Sequence, residues 1–491
     1  MKRKKVVSIE RPILPGKIRR KIARIDHPIV QRKINESLDI SVKEGCFASI
    51  PIGIGLNYLS PFALAMKATS SQIGILFAII NLLPSLVQLR VASWISKFSR
   101  KRILLKVVLI NFFIWIPIIL TAYFYYLGYP YMVWVLIFLV ALLYTASAIS
   151  HPVWFSWMGS LVPEKERGKY FSRRSRVVAV FSILTMIAGA TILDYSKKLG
   201  AVHGNILGYT LFGFGILFSI AAVARFWTLT LLRKQYEPKL IVRKKDYFSF
   251  WDFMSKGRNT PFGRFVIYRG FFSFIIGIAG PFWVVYILRN LGFSYVWYML
   301  ILISEILFQM LFLPLLGKIS DRFGNVRLIK LSTLVIVFTP VFYIITSFMN
   351  WDLGILLFLI FLPGIFSGIA IAGYNLAVNN YVYDAVRAEK RELGISYMNL
   401  FVGFGTFLGA MFGTFLVWLD FSFMDPILFV FMVSVIGRLF MVIFGTKNLR
   451  EVRNVRKFSS NYLIREFQPV QGFIREIHNL ENVASKVQHY I

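Results

Sequence analysis

The sequence predicts an all-α membrane protein of twelve transmembrane helices, arranged as two pseudo-symmetric six-helix bundles. Three observations predict it. Of the 491 residues, 57% are hydrophobic and only 16% are charged, with a mean hydropathy of +0.64; a soluble domain carries about a quarter charged residues. The apolar residues gather into long runs, each near the ~20 residues a helix needs to cross ~30 Å of hydrocarbon. Motifs of the first half also recur in the second at an offset of about 225 residues, as in a duplicated unit.

The same composition excludes other classes. A soluble enzyme could not shield so much apolar surface from water, and disorder requires low hydrophobicity. The lone cysteine, Cys46, rules out an internal disulfide framework. Residues 1–43 are rich in Lys and Arg and hold no long apolar run. The first apolar run is too long and too late for a cleaved signal peptide, so this stretch is expected to be a basic cytoplasmic arm. The first bundle, 44–231, then has spans at 45–66, 71–95, 103–126, 131–158, 176–194 and 205–231. A basic linker at 232–262 separates it from the second bundle, 263–446, with spans at 263–288, 294–316, 328–348, 353–380, 395–418 and 426–446. The tail, 447–491, is polar and basic, and its Tyr462 to Phe467 stretch is compatible with a short amphipathic helix. Runs of this length fit helices, since barrel strands alternate over about ten residues.

The net charge of +33 would suggest nucleic acid in a soluble chain. Its placement argues otherwise. With the N-terminus inside, the outer loops carry only Lys67, Lys197, Lys198 and Arg289, and Arg90, Arg225, Arg269 and Arg438 fall within spans. The rest of the 56 Lys and Arg lie in inner segments or within a turn of them. That bias places both termini in the cytoplasm and explains the charge without a nucleic-acid partner.

The repeat is carried by three matches in order. Phe98 and Arg102, after the second span, align with Phe323 and Arg327 after the eighth; Pro163 to Arg167 aligns with Arg387 to Arg391; Glu44-Gly45 aligns with Arg269-Gly270. Within the second copy, Gly317-Lys318-x-x-Asp321-Arg322-x-Gly324 resembles the signature loop of the major facilitator superfamily, which joins spans 2 and 3 and recurs between spans 8 and 9. The first copy departs from it, with Ala92 for Gly, Ser96 for Asp and Ser99 for Gly. Arg167 to Phe171 with Arg173, Arg174 and Arg176 is similar to the loop after span 4 in many such transporters. The resemblance spans residues ~44–446 and implies an alternating-access secondary transporter whose loop residues Gly317, Lys318, Asp321, Arg322, Gly324 and Arg327 latch the cytoplasmic side. The chemistry suits that role. Asp321 is an anion at a helix terminus, Arg322 a planar donor fork, and Gly324 permits positive φ. The missing Asp at Ser96 predicts asymmetric gating.

Ionisable groups deep in a span are candidate functional sites. Glu305 lies about 16 Å into the core, counted from Ser294 at 1.5 Å per residue. It suits proton coupling, contact with a cationic solute, or a helix-holding pair, and Gln309 at i+4 shares its face. Arg269 is a candidate partner for Glu305 or for an anionic solute. On span 4, His151 and Trp154 share a face. The histidine can carry a proton and the indole can stack on a solute or hold a cation, while Trp157 is expected to be an interfacial anchor. Asn375, opposite His151 in the repeat, and Asn379, with Asn57 and Asn81, are polar groups for a central cavity. Glu44 and Arg90 lie near cytoplasmic ends, where snorkelling or structural pairing is expected. Gly405, Gly409 and Gly413 form a small-residue stripe for close helix contact.

The sequence lacks a Walker loop and a His/Cys metal cluster, so no cofactor or metal is expected. The expected protein is a monomeric plasma-membrane carrier of a small solute, coupled to protons and surrounded by bilayer lipid. The competing readings are a transporter-like sensor and, with no reactive constellation to support it, an integral-membrane enzyme.

Overall fold

The computed structural model describes residues 28–163, 166–238, 253, 259–387, 391–419, 424–453 and 455, without the side chains of 92, 96, 168, 169 and 392. The arm before Pro28, most of the linker and the tail with Tyr462 to Phe467 lie outside them. The described residues contain no strand, and 12 helices are long and apolar enough to cross a membrane. They are α1 (Pro28–Ala65), α2 (Ser70–Lys97), α3 (Arg100–Tyr126), α4 (Met132–Leu161), α5 (Arg167–Val202) and α6 (Ile206–Lys234), then α7 (Pro261–Asn290), α8 (Tyr295–Phe323), α9 (Asn325–Thr346), α10 (Asp352–Ala385), α11 (Arg391–Trp418) and α12 (Pro426–Asn448). The chain runs up and down, so α1 starts and α12 ends on one side, here the terminal face; the opposite side is the far face.

Short turns are possible because the chain carries the residues that cap helix ends. Thr69 and Gln72 form a reciprocal capping box at α2. Ser99, Asn205, Thr260, Ser294 and Asp425 each accept a backbone N–H at the start of α3, α6, α7, α8 and α12. Gly324, between α8 and α9, has φ of 93°, a conformation that favours glycine.

Two elements differ from expectation. Helix α1 starts at Pro28 rather than with the apolar run at Gly45, because residues 28–43 are amphipathic and bury Ile34, Ser37 and Ser41 against the bundle. Helix α5 likewise starts at Arg167, so Arg174 lies two turns inside a helix rather than in a loop. Hydropathy alone cannot see a helix extended by charged turns.

The duplication is visible bond by bond. Arg167 donates to the carbonyls of Gly159 and Val162, and Arg391 donates to those of Tyr383 and Val386, the equivalent positions. Trp157 Nε1 donates to the Tyr236 carbonyl at 3.0 Å, and its counterpart Tyr381 donates through its hydroxyl to the Arg450 carbonyl at 3.0 Å. The next residues, Glu237 and Glu451, accept backbone N–H groups of Arg100 and Val326 at the starts of α3 and α9. Trp157 is therefore not the interfacial anchor expected of it: it is fully buried and ties the segment after α6 to its own bundle. Glu237 also accepts from Ser99 Oγ and pairs with the buried Arg100 at 3.3 Å. A distant glutamate thus serves both loops, and the departing first loop has a serine cap where the second has Gly324.

Within the second bundle, α7 and α11 pack backbone to backbone. A Cβ added at Gly405, Gly409 or Gly413 would collide with the carbonyl oxygens of Gly270, Phe274 and Ile278. Helices without a large side chain at the seam can approach this closely. Gly409→Leu is expected to destabilise the folded protein by about 1–3 kcal/mol through overpacking, read as a lower melting temperature in detergent; an unchanged melting temperature would show that the seam is loose.

Candidate functional site

The first helix of each bundle is broken. In α1, the Pro51–Gly55 turn is a π-helix followed by a 3-10 turn at Leu56–Tyr58. In α7, Gly280 and Pro281 interrupt the helix, which resumes at Phe282–Val285 and ends in a π-turn at Tyr286–Asn290. Such breaks loosen the backbone ladder where helices line a cavity. Asn57 lies in the α1 break, half-buried and, among the described residues, without a hydrogen-bond partner.

A cavity of about 350 Å³ lies between the bundles, walled by α2, α4 and α11. Gln88, His151, Ser156, Ser396 and Asn399 supply its polar groups, and Phe155, stacked on His151, part of its apolar wall. All of these residues stand in the terminal-face halves of their helices. Gln88 and Asn399 bridge the two bundles by a 3.1 Å hydrogen bond. These two amides were not singled out in the sequence. Each is an uncharged residue in an apolar run, and only the meeting of α2 with α11 gives them a joint role. Asn375 and Asn379 are exposed on α10, and Asn81 donates to the Phe77 carbonyl in its own helix.

The structure sorts the charged candidates into separate places. Glu305 sits at the middle of α8, where Gln309 donates to it at 3.2 Å, and Ser367 of α10 lies beside it. The backbones of α8 and α10 nearly touch there, with Gly368 against Glu305 and Gln309. No cation pairs with Glu305 among the described residues. Arg269 does not neutralise it. Its Nη1 contacts Met398 Sδ at 3.4 Å and its guanidinium lies 5.7 Å from the Tyr374 ring. The reason is height. Arg269 is near the terminal-face end of α7 and Glu305 is mid-helix in α8, a separation of about 15 Å along the helices at 1.5 Å per residue.

Trp154 and Glu44, read separately in the sequence, are brought together. Arg174 of α5 pairs with Glu44 of α1 at 3.0 Å, donates to the Ser41 carbonyl, and lies 4.0 Å over the Trp154 ring. Glu44 is buried, as is Arg225 of α6, whose Nε has no hydrogen-bond partner. The equivalents of Glu44 and Arg174 in the second bundle are Arg269 and Met398, so the repeat keeps the contact and drops the carboxylate.

The signature loop is tied within its own bundle. Ser320 donates to Asn325, Asn325 to Asp384, and Arg453 pairs with Asp384 at 3.1 Å. Asp321 and Lys318 are exposed, and Asp321 has no partner among the described residues. Gly324 is buried against Glu451, and Arg322 and Arg327 each make interactions of their own.

A family model described as Major Facilitator Superfamily matches the chain over residues 45–364 and again over 265–470. The chain belongs to the major facilitator superfamily. It is accordingly a multi-pass membrane protein and a transporter by family, a class that points away from enzymatic function. No curated protein matches it by sequence. Among solved structures, it is similar to a D-xylose-proton symporter (13% identity, TM-score 0.62, covering 85% of this chain and 99% of that one). It is also similar to a variant of the nucleoside transporter NupG (15%, TM-score 0.59, 86% and 99%). A third is a bacterial homologue of the human lysosomal transporter Spinster, in an inward-facing, unoccupied conformation (16%, TM-score 0.56, 85% and 95%). At these identities the likeness is one of fold. Superfamily membership fixes the two-bundle architecture and leaves the solute to the cavity.

Proposed function

We propose that this chain is a proton-coupled secondary transporter that moves a small solute across the plasma membrane by alternating access, as a monomer with both termini in the cytoplasm. The observation that carries the reading is the pairing of an inter-bundle cavity in the terminal-face half with a mid-membrane carboxylate that has no cation partner among the described residues. The positive-inside bias assigns the terminal face to the cytoplasm. In this state the cavity is on the cytoplasmic side, and solute is held by Gln88, His151, Ser156, Ser396 and Asn399 with Phe155 as a flat apolar wall. These are uncharged hydrogen-bonding groups beside a ring, which suits a neutral polar solute. Glu305 carries the proton. A lone carboxylate in hydrocarbon is costly when ionised and tolerable when protonated, so its charge state can bias one arrangement of the bundles over another. Asn375, Asn379, Asn57, Trp154 and Arg269 are proposed to contribute to solute passage, and the loop Gly317–Arg327 to gate the cytoplasmic side.

The test is ligand stabilisation of the purified protein against a panel of neutral and charged metabolites at pH 5.5 and 7.5. A ligand at 100 times its Kd adds about 2.7 kcal/mol to the state that binds it. Stabilisation by one class of neutral polar solutes is expected; a response confined to organic anions or cations would contradict the cavity reading.

A further inference from the structure

We infer that Asp194 is a latch on the far face, a carboxylate of one bundle that caps a helix of the other and whose release opens that side. The inference rests on the alternating-access reading and adds the element that holds the closed side shut.

The first N–H groups of a helix have no partner within it. At the start of α8, Ser294 Oγ accepts from Trp297 N at 3.3 Å. The two preceding groups, Tyr295 N and Val296 N, are satisfied by Asp194 Oδ1 and Oδ2 of α5, at 2.9 and 3.0 Å. One carboxylate thus takes two charge-assisted hydrogen bonds and also faces the positive end of the α8 dipole. Donor and acceptor belong to different bundles, so the bonds can form only when the bundles meet on the far face. Phe214 of the first bundle lies edge-on to Tyr295 with ring centroids 5.6 Å apart, a further contact between the bundles beside the cap.

A second contact runs the opposite way. Arg289, at the end of α7, reaches the α1–α2 turn of the first bundle, donating to the Ala68 carbonyl and, at 3.4 Å, to Ser70 Oγ. A first-bundle anion therefore grips the second bundle, and a second-bundle cation grips the first. On the terminal face, by contrast, Asp321 of the signature loop is exposed and without a partner among the described residues. Both of these reciprocal contacts lie on the far face. Opening the far face must break both contacts and leave the α8 N–H groups to water.

Double electron–electron resonance on the full chain in nanodiscs tests this. In a Cys46→Ser background, labels at Tyr129→Cys and Phe348→Cys report the far face, and labels at Phe98→Cys and Arg387→Cys the terminal face. All four positions are exposed. Asp194→Ala, and the near-isosteric Asp194→Asn in case alanine impairs folding, are expected to raise the ratio of far-open to far-closed molecules on the order of tenfold, given the loss of a doubly bonded carboxylate. Arg289→Gln should act in the same direction. The far-face distance should lengthen as the terminal-face distance shortens. Distances that stay at the parent values in folded Asp194→Ala and Asp194→Asn, while added solute still opens the far face, would overturn the latch alone. Distances that no variant and no solute can move would overturn alternating access itself.

Discussion

Glu305→Gln is expected to abolish solute accumulation driven by a pH gradient while preserving exchange of labelled for unlabelled solute. Glutamine keeps the length of the side chain and its hydrogen bond with Gln309 but cannot release a proton. In the parent protein the carboxylate stands mid-membrane with Gln309 and Ser367 beside it, and no cation pairs with it among the described residues. Its ionised form is therefore poorly compensated, and protonation removes that penalty. Fixing the neutral form leaves the bundles free to rock but separates that motion from the proton gradient. In proteoliposomes, accumulation should fall to the level of passive equilibration, a loss of up to about tenfold per coupled proton under a gradient of one pH unit, since a unit of pH stores a factor of ten per proton. Exchange should continue at a rate near that of the parent. A variant that still accumulates solute would remove Glu305 from the proton path.

Glu44→Gln is expected to cost about 3–5 kcal/mol of stability, because it removes the anionic partner from a buried ion pair. The side chains of Arg174 and Glu44 are 15% and 5% exposed, and Arg225 is buried nearby with its Nε unpaired. Neutralising Glu44 leaves two guanidinium groups in a low-dielectric bundle with no carboxylate between them. Arg174→Met alone should be less severe, because Glu44 then retains the field of Arg225. Methionine is the residue at the equivalent position of the second bundle, Met398. The double variant should be more stable than the sum of the single losses predicts, an interaction readable in a double-mutant cycle of melting temperatures. Strict additivity would show that the two side chains do not depend on one another.

The depth of each prediction follows from what hydropathy can and cannot register. Twelve helices are legible because a bilayer admits only long apolar runs with internally satisfied backbones, and the duplication is legible in Arg167 and Arg391, which make the same carbonyl contacts in both bundles. The start of α1 at Pro28 was not legible, because its first turns are amphipathic and are held by packing rather than by lipid. For Trp157, a tryptophan near the end of a span reads as a lipid anchor, and only the return of the chain at Tyr236 gives its N–H an internal partner. The Glu44–Arg174 pair is hidden for a related reason, since the apolar run of the fifth span begins after Arg174 while its helix begins at Arg167. Asp194 carried no local signal beyond being an acid near the end of a span. Its partners are backbone N–H groups from the other bundle, which have no sequence signature. The cavity amides Gln88 and Asn399 were silent in the same way. What sequence patterns miss here is contact between elements distant in the chain, within a bundle for Trp157 and Glu44 and between bundles for Asp194, Gln88 and Asn399.

The central claim is that solute movement is coupled to proton movement through Glu305. The most direct measurement is internal pH in proteoliposomes carrying the full chain and a trapped pH-sensitive dye, recorded as the solute identified by ligand stabilisation is added with no imposed gradient. The account predicts a solute-dependent change in internal pH that is absent from Glu305→Gln liposomes, which still exchange solute. Solute entry into parent liposomes with no accompanying change in pH would contradict it.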